Sequence, residues 1–199
     1  MKRFLSTVVL ILLVMGYMEK VLASDSKISS EDAKSIIRKR AEETIQVLKN
    51  KDFKHLSRLV HPDKGLKLSQ YSFAKKDDVV LNRHEIQKFS TSKKKFISVL
   101  LGESENSKDL TFGDYYDRYI YDHDYSSASE INFNNIVGRG SEGNNLFGFF
   151  PEAIIVEYYF SGFDPKREGT DWESLYLVFE RADDSKWYLV DVAHAEKTE

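Results

Sequence analysis

At 199 residues the chain is long enough for one domain of ordinary size and short for two. A hydrophobic content of 41%, with 13% aromatic, suits a globular core and excludes a largely disordered chain; the absence of cysteine excludes disulfides and a lipid anchor on a cleavage-site thiol. The formal charge is −3, and without residues 1–23 it is −5, from 26 Lys+Arg against 31 Asp+Glu, which argues against nucleic acid or anionic lipid as a partner.

Residues 1–23 stand apart. Met1-Lys2-Arg3 is a short basic start, Phe4 to Met18 is almost uninterruptedly apolar, and Val21-Leu22-Ala23 places small residues before Ser24. This is the layout of a secretory signal peptide cut after Ala23. The apolar run is shorter than the ~20 residues that span a bilayer, so no membrane span is expected after cleavage. The mature chain, 24–199, is expected to be a single domain that is secreted or periplasmic.

Ser29, with Asp32 three residues on, opens an amphipathic helix carrying Ala33, Ile36, Ile37, Ala41, Thr44, Ile45 and Leu48, ending near Asn50. Asp52 caps a shorter helix through Phe53, Leu56, Leu59 and Val60, which His61-Pro62-Asp63-Lys64-Gly65 stops. Leu66, Leu68 and Tyr71 suggest a short strand, and Asn82 with Glu85 caps a small helix through Phe89. Thr91 to Lys95 reads as a basic solvated loop, Phe96 to Leu101 as a strand, and Gly102 to Asp109 as loop. Thr111 and Asp114 form a capping box for a helix with an aromatic stripe, Phe112, Tyr115, Tyr116, Tyr119 and Ile120, which reads as core. Residues 126–148, rich in Ser, Asn and Gly, predict a long loop with one short strand.

The last third predicts three strands in succession, AIIVEYYFS, WESLYLVFE and KWYLVDVAHA, joined by polar turns. Helices first and a meander last imply an α+β domain, with N-terminal helices packed on a curved, mainly antiparallel sheet. By period-two alternation one face carries Ile154, Val156, Tyr158 and Phe160, then Leu175, Leu177 and Phe179, then Tyr188, Val190, Val192 and His194. The opposite face carries Tyr159, Trp172, Tyr176 and Trp187 among Glu157, Ser174 and Asp191. That aromatic face predicts either a surface for association, with a second copy or an envelope protein, or a surface covered by the 126–148 loop. A glycan-binding surface is a further reading.

Several motifs fail on their physics. Gly138-Arg139-Gly140-Ser141-Glu142-Gly143 fits GxGxxG, yet no helix pattern follows to face a pyrophosphate. Asp122-x-Asp124-x-Ser126 starts like a calcium loop but lacks glycine at its sixth position and glutamate at its twelfth. A looser ion site from Asp122, Asp124 and Glu130 is outweighed by a polar helix end. No HExxH, GxSxG or cysteine nucleophile occurs, and the five histidines are scattered, so neither metal nor cofactor is assigned. His194, ending an apolar row, is the one candidate for a general base in a pocket.

The run LKNKDFKHLSRLVHPDKG, a mixed middle and the ending KWYLVDVAHAE resemble the NTF2-like (SnoaL-like) cone fold over about residues 31–196. The segments HPDKG, YDHDY, VEYYFSGFDP, DWESLYLVFE and KWYLV are similar to those of uncharacterised exported bacterial proteins. The resemblance implies a pocket between helices and concave sheet, with His194, Tyr158 and His61 as pocket candidates. In that family the pocket serves lyases, isomerases and cyclases, or non-catalytic binding. The expected function is therefore non-catalytic binding of a small ligand or protein outside the cytoplasm, with a small-molecule lyase or isomerase using a His base as the alternative.

Overall fold

The computed structural model describes residues 28–69, 72–89, 96–98, 108–137 and 143–197. Residues 1–27, which hold the predicted signal peptide, Tyr71, the basic run 91–95, all of 99–107 and most of the GxGxxG stretch lie outside them. Helix α1 (Ser30–Lys49) begins where Ser29 Oγ accepts the Asp32 amide, and α2 (Phe53–Leu59) where the Asp52 carboxylate accepts the His55 amide. Both caps satisfy amides that a helix start leaves without partners. After β1 (Leu66–Ser69) and β2 (Val80–Leu81), α3 (Arg83–Gln87) starts on a full capping box of Asn82 and Glu85. Gly65, before β1, has φ +72°, and a Cβ there would stand 2.7 Å from the Leu81 carbonyl oxygen, so glycine is required at this turn.

Strands β3 (Phe96–Ser98) and β4 (Lys108–Leu110) pair as a separate antiparallel ribbon. Helix α4 (Phe112–Tyr119) follows, with its Thr111–Asp114 capping box formed as the sequence predicts. The main sheet adds β5 (Glu130–Phe133), β6 (Ile154–Phe160), β7 (Glu173–Arg181) and β8 (Trp187–Glu196), in the order β2-β1-β8-β7-β6-β5. Every pairing in it is antiparallel except β1 with β8. The α+β class and the mainly antiparallel sheet are thus as expected. Among the described residues no helix is long and apolar enough to cross a membrane.

The helices cover one sheet face. Ile37, Ala41, Ile45 and Leu48 of α1, with Leu56, Leu59 and the α4 aromatics, pack on Ile154, Val156, Tyr158, Leu175, Leu177, Phe179 and Val192. Phe53 meets Phe89, Phe112 and Tyr116 edge-on at 5.4–5.7 Å, a favoured aromatic geometry. Fully burying an aliphatic or aromatic side chain here contributes about 1.5–3 kcal/mol. Ile36, placed on the buried stripe by its spacing, is instead 48% exposed, one step round the helix from Ile37.

The other face is covered too. A single helical turn, α5 (Leu146–Phe149), together with Ile136, Phe150 and Ala74, closes over Ile155, Tyr176, Val178, Val190, Ala193 and Ala195. The cover is pinned by polar bonds. Asn145 exchanges two hydrogen bonds with the Ala74 backbone, and the buried Glu157 carboxylate accepts from the Val137 amide at 2.7 Å and from Ser174 Oγ at 2.9 Å. Of the three readings of this face, the described residues show loop cover over Tyr176, with Tyr159 and Trp172 left half-buried at its edge.

The pairing of β7 with β8 shifts register between Val178 and Phe179: Val178 stands opposite Asp191, and Phe179 opposite Leu189. Val190 is the extra residue of a β-bulge. The alternation therefore changes phase, which corrects the sequence-based faces. Leu189 and Trp187 pack on the helix side, and Val190 turns to the covered side.

Asp191 follows the bulge, fully buried, with one carboxylate oxygen accepting from Ser69 Oγ at 2.8 Å and the other without a partner. Burial pushes its carboxyl well above the ordinary range, against the hydrogen bond from Ser69 and the charge of Lys67. A carboxyl raised in this way destabilises the fold once pH exceeds its unfolded value of about 3.9, and it costs nothing below that. Asp191→Asn should therefore equal the parent near pH 3 and exceed it by on the order of 1 kcal/mol at pH 7 in urea unfolding. Equal stabilities at both pH values would contradict a buried charge penalty.

Candidate functional site

The first residues of β7 lie beside the last of β8, with Glu173 opposite Glu196 and Leu175 opposite His194. Glu173 and His194 share the helix-side face of the sheet end. The bend after α4 brings Asp122, His123 and Tyr125 against them, and Asp124 holds that bend. One Asp124 oxygen accepts from the Ser126 amide and from Tyr121, and the other pairs with Lys49 at 2.7 Å. Asp124 is thereby committed to capping, and Glu130 sits on β5 opposite Tyr159. The looser ion set of Asp122, Asp124 and Glu130 is not assembled.

A different set is. His123 Nδ1 lies 2.9 Å from Glu173 Oε2 and 3.2 Å from Asp122 Oδ2. His194 Nε2 lies 2.7 Å from Glu173 Oε1 and 3.4 Å from Asp122 Oδ2. Tyr125 donates to Glu173 Oε1 at 2.7 Å or to Asp122 Oδ1 at 2.9 Å. Two carboxylates, two imidazoles and a phenol thus meet at one point. Asp122, His123 and Glu173 can each offer one donor atom within 4.8 Å of the others, close enough to converge on one ion. The sequence spacing predicted no such set, because its members come from three separate segments.

Burial is the largest single influence on each group here, but it does not always decide the direction. It raises Tyr125 well above its ordinary value, reinforced by the charges of Asp122 and Glu173, so the phenol stays a donor. Burial also raises Glu173, with His194 pulling it down and Asp122 pushing it up. Asp122 is driven up by burial but held well below the carboxylate range by hydrogen bonds from His194, Glu173 and Tyr125. Burial would lower His194, yet its bonds to Asp122 and Glu173 win and bring it to about 9. At neutral pH its ring is an imidazolium.

The cluster is closed on the sheet side and open on the other. His194 is 1% exposed and its Nδ1 has no hydrogen-bond partner, whereas the His123 side chain is 43% exposed. The His123 ring stacks on Phe163 at 4.4 Å, and Phe163 itself is 46% exposed. Phe163 is held by the loop after β6, where Asp171 accepts from the Phe163 and Asp164 amides and Gly162 has φ +139°. Phe160 backs both rings at 6.2 and 5.2 Å. A half-exposed aromatic lip thus lies over a nearly buried polar floor, and this exposed edge is the mouth of the cluster.

The predicted pocket residues separate. His194 lies in the floor. Tyr158 is buried two strands away under α1, its hydroxyl unpartnered. His61 caps its own turn, with Nδ1 accepting from the Asp63 and Lys64 amides, and its ring lies against Tyr188 at 6.0 Å. From Tyr188 to His194 the strand runs six residues, roughly 20 Å, so His61 is remote from the cluster. The predicted aromatic face breaks up as well. Tyr176 is fully buried under the α5 cover, Trp187 packs on the helix side, and only Tyr159 and Trp172, half-buried and 6.3 Å apart, stay at that surface.

Among the described residues, fold and site together describe an α+β domain with a polar cluster under an aromatic lip at the sheet end. No family model matches the chain, and no curated protein matches it. Among solved structures the chain is similar to ActVI-ORFA from Streptomyces coelicolor, at TM-score 0.36 and 11% identity, over 80% of this chain and 91% of that one. A likeness of this degree bears on neither activity nor ligand.

Proposed function

We propose that the chain is an exported, non-catalytic binding domain of the cone type, and that its ligand seats in the mouth lipped by His123 and Phe163. The observation that carries this reading is the pairing of a half-exposed, stacked His123–Phe163 lip with a nearly buried carboxylate floor. Exposed apolar rings over convergent polar groups are the usual composition of a ligand site. The proton-abstracting alternative is disfavoured because His194 is sealed from solvent and held by two carboxylates. A general base must come within about 3 Å of the proton it takes. Export rests on the basic-apolar-small pattern of residues 1–23.

Two measurements test the reading. The full chain expressed in a bacterial host should appear outside the cytoplasm with Ser24 as its first residue; retention of residues 1–23 in the cytoplasmic fraction would end the export reading. Native mass spectrometry of the protein purified without denaturation should show a bound species that Phe163→Ser, melting like the parent, loses at least tenfold. A bound species retained in full by that variant would place binding elsewhere.

A further inference from the structure

We propose that the mouth holds a divalent transition-metal ion, with Asp122 Oδ2, His123 Nδ1 and Glu173 Oε2 as its protein ligands and its remaining positions open to solvent and ligand. The inference deepens the binding reading and rests on it for the identity of the site. Its first support is geometric. Metal–ligand bonds of 2.0–2.2 Å give donor–donor edges of about 3.0 Å in an octahedron and about 3.4 Å in a tetrahedron. His123 Nδ1 stands 2.9 and 3.2 Å from the two carboxylate oxygens, so one ion can touch all three atoms with little movement.

The second support is independent of that spacing. Each ligating carboxylate has its other oxygen already held: Asp122 Oδ1 by the Tyr125 hydroxyl, and Glu173 Oε1 by His194 Nε2. Such outer hydrogen bonds fix the direction of metal-ligating carboxylates. His194, 1% exposed, backs both carboxylates from the sheet side through Nε2, at 2.7 Å from Glu173 and 3.4 Å from Asp122. The third support is access: two nearly buried carboxylates, with side chains 13% and 5% exposed, sit beneath a half-exposed imidazole. The third donor, His123, is on the exposed side, which gives the ion a route in.

One nitrogen and two oxygens without sulfur suit Zn²⁺ or Mn²⁺ and disfavour ions that want thiolates. The test is titration of the EDTA-stripped, re-purified protein with ZnCl₂ and separately with MnCl₂ by calorimetry, alongside the melting temperature. One equivalent of Zn²⁺ or Mn²⁺ should bind in the micromolar range or tighter and raise the melting temperature. His123→Ala, which removes a half-exposed side chain and should fold, should weaken binding at least tenfold. Asp122→Asn should do the same, while His84→Ala, on α3, should match the parent. A parent isotherm without stoichiometric binding, or stoichiometric binding unchanged in His123→Ala, overturns the metal. The two readings fail separately. A bound organic species that depends on Phe163, with no metal isotherm, keeps the mouth and removes the ion; a metal isotherm with no such species keeps the ion and removes the ligand reading.

Discussion

Glu173→Ala is expected to lose about 3–5 kcal/mol of unfolding free energy in urea at pH 7, the cost of breaking a buried ion pair from one side. Glu173 is the common acceptor of the cluster, receiving Tyr125 and His194 at 2.7 Å and lying 2.9 Å from His123. Without it Tyr125 still reaches Asp122, but His194 keeps only the 3.4 Å approach to Asp122 inside a sealed wall. An imidazolium left that way is a desolvated charge with poor compensation. The double variant Glu173→Leu/His194→Leu should recover most of the loss. Both side chains leave together, and Leu175, Leu177 and Val192 extend the apolar row on the same face. A Glu173→Ala loss below 1 kcal/mol, or a double variant as unstable as the single, would mean that water already solvates the cluster.

The second large effect is regional. Glu157→Ala removes the acceptor of the Val137 amide, Ser174 Oγ and Asn132 Nδ2, all on the covered face of the sheet. Hydrogen bonds to a charged group are each worth about 1.5–3 kcal/mol and are not additive here, so a total loss of about 2–4 kcal/mol is expected. Hydrogen exchange should speed up at Val137 and across 146–150, where the cover loses its pin, while β7 and β8 amides beside the helices keep their protection. Uniform acceleration across the domain would show that Glu157 acts on global stability alone.

Much of the architecture can be read from local chemistry. The capping residues Ser29, Asp52, Asn82 and Thr111 each start the helix they announce, because a side-chain acceptor at the right offset needs no tertiary help. The three final strands and the faces of β6 and β7 follow from alternation alone. Alternation fails at β8, because an inserted residue leaves no trace in a run that is apolar on both sides. The cover on the second face was one of three open readings, since apolar residues scattered through a polar loop do not say where they land.

The cluster itself was half legible. Glu173 stands two residues before Leu175, so it begins the apolar row of β7, and His194 ends the row of β8. In an antiparallel pair the start of one strand adjoins the end of the next. That rule sets an acid and a histidine at those two ends beside one another, though Glu173 was not among the predicted site residues. Asp122 and His123 were not legible, since the bend after α4 reaches the sheet only through tertiary packing.

The bulge at Val190 has a consequence for how this chain tolerates change. The strand keeps one parity as far as Leu189 and the opposite parity from Val192 onward. Losing Val190 would remove the bulge and restore plain alternation, with Leu189, Val192 and His194 still on the helix side, whereas losing Ala193 would turn His194 to the covered face. One residue of the strand can thus be lost without changing which side chains meet the helices, and its near neighbour cannot. The imidazole in the floor of the mouth is aimed by its even spacing from Val192.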